Sequence, residues 1–253
     1  MTSQQAVVTG ASRGLGRALA AGLARAGYDL VIDARDGDAL GLSAQSIQSQ
    51  APGAVITAIP GDITDPAHRA ELARAADGRA TLLVNNAGTL GAAPLPALAD
   101  YPPEALRDAF ETNVIAPIAL TQLFLPQLRR NGGAVLNITS DAAVEAYTGW
   151  GGYGAAKAAL EQASNVLAAE ETAIRVWWAD PGDLRMDMHQ AAFPDDDISD
   201  RPLPESVVPR FLYLIAERLP SGRYRVAELG AKTQAPCLPG GTNPPNPPVS
   251  QAV

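Results

Sequence analysis

The chain has one cysteine, Cys237, which excludes an intrachain disulfide framework. Its two histidines, His68 and His189, lie far apart, which argues against a Cys/His zinc centre, and no metal site is expected. Positive charge is in deficit. Lys and Arg number 19 against 27 Asp and Glu, so the net charge of −8 opposes the field that nucleic-acid phosphates require. No uninterrupted apolar run reaches the roughly 18 residues of a membrane span. The opening MTSQQAVVTG lacks a basic segment followed by an apolar one. A cytoplasmic protein with neither nucleic-acid nor membrane partners is expected.

What is present is material for a core, since 47 % of the residues are apolar. Short, nearly continuous apolar runs fall at Ala6–Thr9, Leu30–Asp33, Ala54–Ile59, Thr81–Val84, Ala134–Ile138 and Ile174–Trp178. Such runs suit strands of a parallel sheet buried on both faces. The Ala- and Leu-rich segments between them are long enough for crossover helices. In the first, Leu15, Leu19 and Leu23 share one face and Gly27 supplies a stop. The pattern predicts an α/β fold, a single-domain Rossmann-type doubly wound parallel sheet flanked by helices, over residues 1–230. Prolines crowd residues 231–253, which predicts an extended or disordered tail. The segment Asp187–Glu205, with three consecutive aspartates, reads as an irregular loop or lid.

The first strand runs into TGASRGLG and then into the first helix. Gly10 permits the tight turn, Gly14 lets backbone approach a pyrophosphate and Gly16 lets helix and strand pack closely. The helix start offers free N–H groups and a positive dipole end to phosphate. The spacing T-G-x-x-x-G-x-G resembles that of the classical short-chain dehydrogenase/reductase family, and the resemblance runs to about residue 230. Asp62 in GDITD, the NNAG of Asn85–Gly88, and Pro181-Gly182 after the sixth strand continue it in order. The resemblance implies a dinucleotide site at Gly10, Ser12, Arg13, Gly14, Leu15 and Gly16. It adds Asp62 and Ile63 on the adenine side, and Asn85, Ala87, Gly88, Pro181 and Gly182 beside the rest of the cofactor.

A carboxylate ending the second strand would accept from a free ribose 2′-hydroxyl and repel a 2′-phosphate. In LVIDARD the family's acidic position falls on Ala34, and Arg35 follows. Arg13 and Arg35 are therefore expected to clamp the phosphate of NADP(H), in preference to NAD(H). Asp33 and Asp36 are the residues that a shift of one position would turn toward NAD(H).

Tyr153 and Lys157 are spaced i, i+4 in the helix-forming YGAAKAALEQAS, which places them on one face. A phenol is a poor acid–base catalyst at neutral pH, and a nearby ammonium favours its ionised form. Ser140 closes the fifth strand, 13 residues before Tyr153, as in the short-chain family. Asn113 in FETNVIAP matches the family's asparagine that supports a proton-relay water. The resemblance thus implies catalytic roles for Asn113, Ser140, Tyr153 and Lys157, with Tyr153 and Lys157 also touching the cofactor. It departs at Met186, where the family has a threonine, and at Trp177 and Trp178, which replace small or polar residues.

The expected activity is reversible hydride transfer between nicotinamide and a carbonyl or alcohol substrate. A pocket from Leu90–Pro96, Ala142–Trp150 and Met186–Phe193 points to a fairly hydrophobic ketone or aldehyde. A homodimer or homotetramer is expected from the resemblance. The competing readings are a non-catalytic NADP(H)-binding regulator that senses redox state, and an assembly subunit whose tail docks a partner.

Overall fold

The computed structural model describes residues 4–230; the tail predicted over 231–253 lies outside them. Seven parallel strands form one sheet in the order β3-β2-β1-β4-β5-β6-β7. They are β1 (Gln4–Val8), β2 (Tyr28–Ala34), β3 (Ile56–Pro60), β4 (Ala80–Asn85), β5 (Ala134–Ile138), β6 (Arg175–Asp180) and β7 (Gly222–Arg225). The intervening helices are α1 (Gly14–Arg25), α2 (Gly37–Gln50), α3 (Pro66–Ala75), α4 (Pro103–Phe110), α5 (Ala116–Asn131), α6 (Gly151–Glu170), α7 (Asp187–Ala192) and α8 (Val208–Ala216). This is the doubly wound α/β architecture that the strand runs predict.

The two faces are legible along single strands. Ala6, Val8, Leu30 and Ile32 join a core with Leu19, Leu23, Phe211 and Leu214 of α1 and α8. Their neighbours Val7 and Val31 face the opposite core, with Leu120, Phe124 and Leu128 of α5. Period-two alternation thus feeds apolar side chains to both layers. Trp177 is fully buried in the first core and its indole N–H donates to the Leu219 carbonyl at 2.9 Å. That bond is what lets an indole replace a small residue there.

Four local expectations need correction. β3 is a sheet edge with Thr57, Ala58 and Pro60 exposed, so it is not buried on both faces; Pro60 is tolerated because an edge strand need not donate on its open side. β7 was not anticipated, because its sequence GRYR is polar and short. Ser140 does not close β5, which ends at Ile138. Asp187–Glu205 is not wholly irregular, since it begins with α7.

Strand order reverses between β1 and β4, and their carboxyl ends open a crevice there, where dinucleotides bind in folds of this kind.

Candidate active site

The glycine turn sits at that reversal. Gly10 has φ of +67°, and a Cβ on it would lie 2.9 Å from the Ala87 Cα, so the position tolerates only glycine. A Cβ on Gly16 would collide with the Gly10 carbonyl and the Asn86 side chain. No side chain caps α1, which leaves its first amides aimed at the crevice. That uncapped, glycine-lined helix start fits a pyrophosphate. Leu15 and Ile63 turn their side chains into the core, so only their backbone faces the site. Ser12 is half-buried in the turn, and beyond β6 Gly182 donates to Asp180 Oδ1 at 2.9 Å behind Pro181.

The adjacent β4 loop is stitched to the turn by two residues that sequence reasoning passed over as site residues. Thr9 Oγ1 accepts from the amides of Asn86 and Ala87, both at 3.0 Å. Asn86 Nδ2 donates to the Thr9 carbonyl at 2.8 Å. The motifs TG and NNAG contain both, but their pairing across 77 residues is visible only once the strands are adjacent. Asn85, in contrast, turns its side chain inward. Its side chain donates to Asn137 at 2.7 Å and Thr121 at 3.2 Å in a buried polar chain that holds β4, β5 and α5 together, which leaves only its backbone toward the crevice.

At the ribose end, Arg35 is exposed and its charge holds Asp62 down, together with the Thr64 hydrogen bonds that dominate that shift. Asp36 caps α2 through the Ala39 amide at 3.0 Å. Asp33 is buried and bonded to Gly10 N and His68, so its carboxylate does not reach outward as the NAD-type acid would. Arg13 forms an exposed ion pair with Asp187 of α7 at 3.0 Å. An exposed pair of this kind is weak and exchangeable. Arg35→Asp is expected to weaken NADPH by about tenfold or more relative to NADH, since it exchanges a charge-assisted donor for a repelling carboxylate. Specificity constants for the two cofactors measure it; an unchanged ratio places Arg35 outside the site.

The four predicted catalytic side chains converge. Tyr153 and Lys157 rise from the first two turns of α6 and are buried. Lys157 Nζ donates to the Ile138 carbonyl at 2.8 Å and lies 5.5 Å from the Tyr153 ring centroid. Burial brings the Lys157 pKa down to about 8, against a smaller opposing effect of Glu161. The expected lowering of the Tyr153 pKa by this lysine is not what the geometry gives. Burial pushes the phenol up, the Asp180 and Asp141 carboxylates add to it, and only a hydrogen bond with Ser140 opposes. The ammonium is engaged by a backbone carbonyl and stands over the phenol ring.

Ser140 donates to Asp141 Oδ1 at 3.0 Å, and Tyr147 donates to the other carboxylate oxygen at 2.9 Å. Asn113 is fully buried, in a π-helical turn over Glu111–Ile115 that interrupts the α4–α5 run. Such turns recur at functional sites. Both ends of its amide are engaged by the Thr89 backbone, at 2.9 and 2.7 Å, which fixes the side chain against the β4 loop. A Cβ on Gly88 would lie 3.0 Å from Asn113 Oδ1 and 3.8 Å from Lys157 Nζ, which locates the three together.

Leu90, Leu95, Ala142, Trp150, Met188 and Phe193 pack around Tyr153 as a separate apolar cluster. Trp150 meets Tyr153 edge-on at 5.6 Å and Phe193 at 5.8 Å. Met186 does not belong to this cluster. It packs on the main core, with its Sδ 3.4 Å from where a Gly14 Cβ would be, so it backs the glycine turn and does not line the substrate side.

The fold and this site define an oxidoreductase of the dinucleotide-binding α/β class. The chain belongs to the short chain dehydrogenase family, whose sequence pattern matches residues 4–197. Sepiapterin reductase of Meriones unguiculatus is 36 % identical over 199 residues, covering 74 % of this chain and 76 % of that protein. The 1-deoxy-11-beta-hydroxypentalenate dehydrogenase of Streptomyces exfoliatus is 35 % identical over 197 residues, 75 % of this chain and 70 % of its own. Among solved structures, a short chain dehydrogenase of Shigella flexneri complexed with NADP has a TM-score of 0.83 at 28 % identity, covering 88 % of this chain and 97 % of that one.

Proposed function

We propose that the protein is an NADP(H)-dependent reductase of apolar ketones or aldehydes, running in reverse as an alcohol dehydrogenase. The observation that carries this reading is the placement of Tyr153, buried beside Lys157 and Ser140 and walled by Trp150 and Phe193. Bound NADPH supplies hydride; the chain supplies position, polarity and a proton. The upward-shifted phenol of Tyr153 remains protonated at neutral pH, as a proton donor to a carbonyl oxygen must. The Ser140 hydroxyl orients that oxygen. Lys157 binds the cofactor's ribose side and refills the proton, with the Asn113 turn holding the relay water. The NADP-bound neighbour and the exposed Arg35 support NADP(H) as the cofactor.

A regulator that binds cofactor without turning it over is not favoured, because Tyr153 and Lys157 are both retained at the pocket. A homodimer or homotetramer and a cytoplasmic location belong to the same proposal. Exposed Ile115, Leu123 and Val166 on the α5 and α6 side support self-association. Among the described residues, no helix is long and apolar enough to cross a membrane.

Following absorbance of NADPH and NADH in parallel against a carbonyl panel tests the reading. Aryl and long-chain ketones are expected to turn over faster than small polar ones, and NADPH faster than NADH. Phe193→Ala is expected to raise KM for aryl ketones about tenfold, since removing the ring takes apolar contact area from the substrate. Tight NADPH binding with no turnover of any carbonyl compound would replace this reading with the regulator.

A further inference from the structure

One buried ion pair stands outside the proposed proton-transfer machinery. Asp33, near the end of β2, is 2 % exposed, and His68 of α3 is 5 % exposed. Asp33 Oδ2 lies 3.0 Å from His68 Nε2, while Oδ1 accepts from the Gly10 amide at 2.8 Å. The imidazole is wedged against Gly61, where any side chain would strike the ring, so the histidine is held in this orientation. The same small region contains Asp62, whose carboxyl feels both Arg35 and His68.

The carboxyl end of the second strand is where a dinucleotide fold meets the adenosine ribose. A free carboxylate there accepts from a 2′-hydroxyl and repels a 2′-phosphate. Asp33 is placed to exert that repulsion, yet both its oxygens are bonded inside the protein and an imidazole faces its charge. We infer that His68 is a cofactor-selectivity residue. By holding Asp33 under the glycine turn and balancing its charge, it keeps a negative field off the 2′ side and leaves Arg35 to receive the 2′-phosphate. The inference rests on NADP(H) binding and not on any substrate, so a failed carbonyl screen does not touch it.

A purely structural pair would anchor the glycine turn for both cofactors alike. A charge-balancing pair acts on NADPH alone, because only NADPH carries the extra phosphate. The discriminating quantity is therefore the ratio of NADPH to NADH affinity, read by titrating nicotinamide fluorescence, with melting curves alongside. His68→Gln retains a donor toward Asp33 but cannot be charged; His68→Leu removes the donor as well. Both are expected to lower the ratio about tenfold, less at high salt. Asp33→Asn, alone or with His68→Gln, leaves no carboxylate to balance and is expected to retain the wild-type ratio.

pH gives a second reading on the unaltered protein. The Asp33 hydrogen bond is the main cause that raises the His68 pKa above its ordinary value, with Asp33, Glu71 and Asp65 adding their charges. As pH rises above the ordinary imidazole range the imidazolium discharges and Asp33 is left unbalanced, so the ratio is expected to fall. Lys157 also titrates in this range but serves both cofactors, so it cancels in the ratio. A His68→Gln protein that melts normally with a ratio within twofold of wild type would overturn the inference. So would a double variant that reproduces the loss seen in His68→Leu. If His68→Leu does not fold, the Gln and double variants decide.

Discussion

Tyr153→Phe is expected to lower turnover by about 10²–10⁴-fold, the range that a positioned general acid contributes. NADPH affinity should stay within a few-fold. The substitution removes a hydroxyl and little else from a residue that is 8 % exposed, so the Trp150 and Phe193 packing survives. Stopped-flow or steady-state NADPH oxidation, paired with a fluorescence titration of cofactor, separates the two effects. A variant with near-normal turnover would remove Tyr153 from the reaction. Because burial and the Asp180 and Asp141 carboxylates hold the phenol protonated, no alkaline loss of reductase activity below pH 10 should trace to this tyrosine.

Lys157→Met is expected to lower rate and cofactor affinity together, affinity by about 10–100-fold, the span of one hydrogen bond to a charged group. In the wild type the ammonium is lost as pH rises through about 8. Reductase kcat/KM should therefore decline above that pH, and the decline should be missing from the residual activity of the variant. The stability sign runs the other way. The Lys157 pKa is depressed from 10.5 to about 8, so between these values the unfolded chain binds more protons than the folded one. Wild-type stability gains from this group as pH rises through that window, and the gain should vanish in Lys157→Met. Denaturant melts at pH 7.5 and 9.5 check it. An unchanged cofactor Kd would confine Lys157 to holding the Ile138 carbonyl.

The sheet was readable because parallel strands announce themselves as continuous Val, Ile, Leu and Ala runs; six of the seven did so, five of them buried and β3 at the exposed edge. β7 carries GRYR, whose Arg223 side chain is needed at Glu161 and near Asp180, so its polarity hid it. The glycine turn was readable because Gly10 must take a positive φ beside Ala87, a local demand written in a local motif. The i, i+4 spacing of Tyr153 and Lys157 was likewise local, and α6 puts both at the crevice. Asn85 misled because NNAG looks like one loop, while the first asparagine faces the sheet interior and the second faces Thr9. Met186 misled similarly: its sequence position lies in a substrate-side segment, its side chain against Gly14.

By itself, then, the sequence determined the α/β winding, the glycine turn and the identities of the side chains that meet at the crevice, because each follows from short-range periodicity or backbone conformation. Only the tertiary structure decided their charge states and partners. Whether Lys157 meets a hydroxyl or a carbonyl, and whether Asp33 faces a ribose or a histidine 35 residues away, depends on dielectric and contact across strands that are distant in the chain. Those are properties of burial, which no local stretch of residues specifies.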